Sequence, residues 1–115
     1  MLKYIVPIVA VSGLLAIAAA SNPSVKIEGG IGGNATVEGT VDEIHVARGS
    51  GVTFLDMGGQ YPNNTFTAVI WPEDAGKFPN VAAFYGHAVK VTGTLQLYRG
   101  KQEIILRDAS QLTAD

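Results

Sequence analysis

Alternation of apolar and polar positions is clearest between Val52 and Trp71, in the stretch VTFLDMGGQYPNNTFTAVIW. Val52–Met57 and Phe66–Trp71 are rich in β-branched and aromatic residues, and the joint between them holds Gly58-Gly59 and Pro62-Asn63-Asn64. That combination predicts two strands joined by a polar turn. Successive strand residues point to opposite faces. Thr53, Leu55 and Met57 therefore share a side with each other, as do Phe66, Ala68 and Ile70 on the second strand. The opposite side carries Val52, Phe54, Asp56, Thr67, Val69 and Trp71. Phe54, Asp56 and Thr67 are an odd set to leave in water, so this second face is the candidate binding surface. Trp71 stands next to a helix start, and because tryptophan is usually well buried it is expected to pack there.

The remaining elements follow from the same reading. Ala35–Arg48 is a long strand, with Gly39 in its middle predicting a bulge or sharp bend. Arg48-Gly49-Ser50-Gly51 is a loop into the hairpin. Pro72-Glu73-Asp74 is a helix-start signal, because proline suits the first turn and acids suit the positive end of the helix dipole. Gly86 is a helix stop, and Pro79 divides the region into two short helical pieces. Ala88–Leu97 is a strand, Tyr98-Arg99-Gly100-Lys101 a turn, Gln102–Arg107 the last strand and Ser110–Asp115 a polar tail. Val37-Glu38-Gly39-Thr40-Val41 and Val91-Thr92-Gly93-Thr94-Leu95 each set a glycine between inward apolar residues. They read as two strongly bent strands that pair in a small barrel. Three strands, a helix and two strands is the order of the OB-fold, a five-stranded Greek-key barrel. The predicted class is thus all-β, with a short helix between the third and fourth strands.

Composition adds compartment and limits chemistry. Met1-Leu2-Lys3 is a short positive start, and Tyr4–Ala20 is an unbroken uncharged run ending in Ala18-Ala19-Ala20. This predicts a signal peptide over residues 1–20, with cleavage after Ala20, or else an inner-membrane anchor. The protein is then exported, periplasmic or extracellular. Residues 21–34 are glycine-rich and predict a flexible linker, with the folded domain over 35–115. No cysteine is present, which excludes disulfides, thiolate metal sites, cysteine catalysis and a lipid-modified N-terminal cysteine. The ten acids outnumber the eight Lys and Arg residues, so tight non-specific DNA binding through clustered basic residues is not expected.

The patches Tyr61-Pro62-Asn63, Phe66-Thr67, Ile70-Trp71 and Leu97-Tyr98-Arg99-Gly100 resemble small bacterial OB-fold domains of the nucleic-acid-binding kind, found alone behind a signal peptide or beside nuclease domains. The resemblance spans about Ala35 to Leu112. Phe54-Leu55-Asp56-Met57 also resembles the second strand of the anticodon-binding OB domains of aminoacyl-tRNA synthetases. That resemblance implies an aromatic stacking role for Phe54 and an RNA-facing position for Thr67. The relatives are more basic along the groove than this chain.

OB-folds bind through the face of strands two and three and through the first–second and fourth–fifth loops. The candidate ligand residues are therefore Arg48, Phe54, Asp56, Tyr61, Asn63, Thr67, Tyr98, Arg99 and Lys101. Aromatic rings would stack on bases and basic loop residues would hold phosphates. The acids are scattered, His45 and His87 are the only histidines, and no phosphate-cradling glycine loop precedes a helix. No catalytic, metal or cofactor role is assigned; a resemblance to the anchored OB-fold haem chaperone of cytochrome c maturation would imply a haem-attaching histidine beyond the barrel, and the tail Asp108–Asp115 has no histidine or tyrosine. The expected function is non-enzymatic binding of single-stranded nucleic acid or an oligonucleotide-like ligand. The alternatives are an interaction subunit of an envelope or extracellular assembly and, third, oligosaccharide binding.

Overall fold

The computed structural model describes residues 25–115, so the predicted signal peptide or anchor over residues 1–20 and the predicted cleavage after Ala20 lie outside the described residues. The strands are β1 (Lys26–Glu28), β2 (Asn34–Val46), β3 (Thr53–Met57), β4 (Phe66–Ile70), β5 (Ala88–Tyr98), β6 (Lys101–Ile105) and β7 (Leu112–Ala114). Strands account for 51% of the described residues and helical turns for 14%, which makes this a β protein. Five strands form a closed ring in which β2 pairs with β3 and β5, β3 with β4, β4 with β6, and β6 with β5. All of these pairs are antiparallel except β4–β6, which is parallel. β1 and β7 lie outside the ring on β2 and β5.

The hairpin registers as its alternation predicts. Thr53, Leu55 and Met57 pair with Ile70, Ala68 and Phe66, and all six are buried on the inner side. Val37, Val41, Val89, Val91, Leu95, Ile104 and Leu106 complete the interior. The two glycine-centred segments do pair, Val37 opposite Val91 and Ala35 opposite Gly93. Gly93 has φ +153°, and a Cβ there would lie 2.6 Å from Ile104 Cγ2, so this position excludes a side chain.

Gly39 is not the bulge. It pairs with Val89 in regular register, and the extra residue on β2 is Asp42, between the Val41–Met57 and Glu43–Asp56 pairs. A bulge re-aims its side chain. Here Asp42 Oδ2 accepts a hydrogen bond from the Gly59 backbone N–H at 2.8 Å, fixing the turn after β3.

Between β4 and β5 run two short 3-10 turns, Pro72–Lys77 and Val81–Phe84, separated around Pro79. Phe78, between them, is buried against the core. Trp71 is the N-cap residue of the first turn and is 41% exposed, contrary to the burial expected of it, because β4 ends at Ile70 and Trp71 is not part of the strand's inward alternation.

Two segments read as irregular carry structure. Within the predicted linker, Lys26–Glu28 is a strand on β2, with Val25 and Ile27 packed against the core. Within the predicted polar tail, Leu112 is buried and Leu112–Ala114 pairs with β5. A capping box of Asp108 and Gln111 sets the turn before it. Each strand is too short to show a period, so the polar flanks dominated the sequence signal.

Candidate functional site

Register brings one row of polar side chains around the outside of the ring. Glu43 on β2 is opposite Asp56 on β3, Asp56 opposite Thr67 on β4, Thr67 opposite Glu103 on β6, and Glu103 opposite Gln96 on β5. The row crosses five strands and holds three carboxylates. Above its centre lies a cavity of about 610 Å³ lined by His45, Phe54, Asp56, Tyr61, Pro62, Thr67, Tyr98, Arg99, Lys101 and Glu103.

Asp56 is the least exposed polar residue of the site, at 1%. Its Oδ1 accepts from Thr67 Oγ1 at 3.0 Å and from Asn64 Nδ2 at 3.3 Å. The Asn64 amide also donates to Thr67 Oγ1 at 2.7 Å and to the Phe66 carbonyl at 3.0 Å, so it ties the turn to the start of β4. Asp56 Oδ2 has no hydrogen-bond partner, and His45 Nε2 stands 3.6 Å from it. Burial pushes the Asp56 carboxyl above its ordinary value of 3.8; the Thr67 hydrogen bond and the charge of His45 oppose that rise, and Glu43 adds to it. Glu103 is raised for the same first reason, burial, and opposed by the hydrogen bond from Gln96. Gln96 Nε2 donates to Glu103 Oε1 at 2.9 Å.

The rings differ in availability. The Phe54 ring is half-buried and already stacked on His45, with centroids 5.0 Å apart and planes 22° apart. Tyr98 is exposed and carries the Arg99 guanidinium 5.3 Å from its ring centroid. Arg99 and Gly100 both have positive φ, 52° and 81°, as the two central residues of a tight hairpin turn require. Tyr61 is 67% exposed and keeps an open ring; its backbone N–H donates to Glu43 Oε1 at 3.0 Å, which fixes the loop above the polar row.

Of the residues predicted from sequence, Phe54, Asp56, Tyr61, Thr67, Tyr98, Arg99 and Lys101 converge on this cavity. Two do not. Arg48 is on the exposed loop after β2, and Asn63 is an exposed turn residue whose backbone N–H donates to Gln60. The next residue, Asn64, is the one engaged with Asp56. Lys101 is present but its ammonium donates to the carbonyls of Pro62 and Asn64 at 2.8 and 2.9 Å, so it straps the β3–β4 loop to β6 rather than offering a free charge. The turn after Asp56 is held by Asp42, whose Oδ2 accepts from the Gly59 N–H. Sequence reasoning missed His45 and Glu103. Their strands were predicted, but only the ring's register sets them beside Asp56 and Thr67.

Among the described residues, no three His, Asp or Glu side chains converge as metal ligands, and no helix is long and apolar enough to cross a membrane. No protein-family model matches the chain, and neither a curated protein nor a solved structure does.

Proposed function

We propose that this chain is a non-enzymatic binding protein of the OB-fold kind that takes a segment of single-stranded nucleic acid, or an oligonucleotide-like ligand, on the β3–β4 face. The ring order β2-β3-β4-β6-β5 supports the barrel reading, since a parallel pairing of the third and fifth ring strands closes it. The observation that carries the functional reading is the cavity itself: Tyr61 and Tyr98 project at its rim, Phe54 lies at its side, and Arg99 stands over Tyr98. Rings serve as stacking platforms for bases, and a guanidinium at the rim suits a phosphate.

The electrostatics shape how such a ligand sits. Carboxylates line the floor and Arg99, over the Tyr98 ring, is the rim cation that a phosphate can reach, because Lys101 is tied to carbonyls. Bases belong over the polar row and the sugar–phosphate backbone belongs outside, toward Arg99. Affinity then comes from stacking more than from phosphate neutralisation. The uncharged run Tyr4–Ala20 supports export of the protein, and N-terminal sequencing of the exported or membrane fraction tests it.

The test is a titration of the protein with a single-stranded oligonucleotide at two salt concentrations, followed through Trp71 and tyrosine fluorescence. Saturable quenching with a shallow salt slope is expected, about −0.7 in log affinity per log salt for one phosphate contact. No saturable quenching at low salt would sink this reading and favour the docking of an envelope or extracellular protein. A steep slope would place the ligand on another surface.

A further inference from the structure

The donors on the cavity floor are already engaged. Thr67 Oγ1 and Asn64 Nδ2 both donate to Asp56 Oδ1. Gln96 Nε2 donates to Glu103 Oε1, and Lys101 Nζ donates to the loop carbonyls. What remains is a surplus of acceptors. Asp56 Oδ2 is buried without a hydrogen-bond partner, with His45 Nε2 3.6 Å away, and a buried acceptor short of a donor is costly. Glu103 is half-buried in the same row, with Thr67 between it and Asp56; its Oε1 accepts from Gln96 and keeps a second lone pair, and its other oxygen is a further acceptor. A ligand that fits this floor must bring N–H groups.

A simple cation is disfavoured, since Arg99 and Lys101 line the same cavity. The floor asks for a neutral, donor-rich edge and the Arg99 rim for a negative group. A nucleotide has both. Among the common bases, guanine alone presents two adjacent N–H donors on its Watson–Crick edge, N1–H and N2–H. A carboxylate has two acceptor oxygens that match such a pair. Thymine and uracil would set carbonyl oxygens against Glu103. Adenine and cytosine offer one amino group beside an acceptor ring nitrogen.

We infer, building on the nucleic-acid reading above, that the cavity is a guanine-selective subsite in which Glu103, oriented by Gln96, accepts from the base edge while an open tyrosine ring stacks on its face. Asp56, behind Glu103 and Thr67, is a positioning residue: its charge disfavours any base that turns acceptors toward the floor.

The full chain titrated with thymidine octamers carrying one central guanine, inosine, adenine, cytosine or thymine tests this. The guanine oligonucleotide should bind roughly 5- to 150-fold more tightly than the all-thymine one, the discrimination expected of one bidentate base contact. Inosine, which lacks the N2 amino group, should lose most of that gain. Glu103→Gln keeps the side-chain shape and the acceptor for Gln96; it should abolish the preference for guanine, so that the guanine and all-thymine oligonucleotides bind alike, because the amide no longer offers two acceptor oxygens to the base edge. Equal affinity for all five would overturn the guanine subsite and leave nucleic-acid binding standing. No binding of any of them at low salt would overturn both.

Discussion

Thr67 Oγ1 donates a 3.0 Å hydrogen bond to Asp56 Oδ1 across directly paired positions of β3 and β4, with both side chains buried. This contact, with the Asn64 amide, is what permits a carboxylate to sit 1% exposed on the outside of the ring. Thr67→Val keeps the shape and deletes the donor. It should destabilise the fold by about 1–3 kcal/mol, the cost of leaving a buried acceptor short of a partner. It should also move the Asp56 carboxyl further up, since Thr67 is the strongest influence holding it down. Urea unfolding at neutral pH measures the first effect and a carboxyl NMR titration the second. Unchanged stability would show that the contact is idle.

Both floor carboxyls are raised in the folded protein, so the direction of their pH effect is fixed. A group whose folded value lies above its unfolded one binds more protons when folded, and its contribution is fullest below the unfolded value and lost as pH rises through the folded value. The window opens at the ordinary values, 3.8 for Asp56 and 4.5 for Glu103, and extends upward from them. Melting temperature should therefore fall as pH rises through that window. The double variant Asp56→Asn, Glu103→Gln should flatten the slope. A wild-type profile no steeper than the double variant's would refute the assignment.

Tyr61→Ala separates binding from folding, because the ring is 67% exposed and packs on nothing that the core needs. Oligonucleotide affinity should drop by about 1–3 kcal/mol, one stacked base. Thermal stability should stay within about 0.5 kcal/mol, as for most surface substitutions. Loss of stability without loss of affinity would be the opposite of this expectation.

Gly93→Ala tests the closure of the ring. The new Cβ would lie 2.6 Å from Ile104 Cγ2 and 2.7 Å from Gln111 Nε2. Ile104 is fully buried, and the Gln111 side chain is fixed by hydrogen bonds to Thr92, Ile105, Arg107 and Asp108. Neither can yield freely, so a loss of about 1–3 kcal/mol is expected from overpacking and strain together, read as a lower urea midpoint.

The hairpin was legible because strict alternation places Leu55 and Phe66 on one side and Asp56 and Thr67 on the other. The pairing of Val37 with Val91 was legible because both segments set a glycine between inward apolar residues, although at Gly39 the strand keeps its regular register. Trp71 was misjudged because its burial depended on where β4 stops, and a strand's last residue leaves no mark on its period. Lys101 looked like a free cation since a sequence shows its charge but not the carbonyls of Pro62 and Asn64 that receive it. Glu103 was invisible as a site residue for a similar reason. Its role comes from a parallel pairing with Thr67, which brings together residues far apart in the chain.

That parallel pairing sets the order in which the molecule can be completed. β4 has β3 on one side and waits for β6 on the other, and β6 is the last strand of the ring in chain order. A nascent chain lacking β6 presents β4 with an open edge whose five residues are all destined for burial, an invitation to pair with a neighbouring chain. A truncation before Lys101 therefore does not yield a slightly smaller domain. It yields a sticky intermediate, because the ring stays open until Lys101–Ile105 is present.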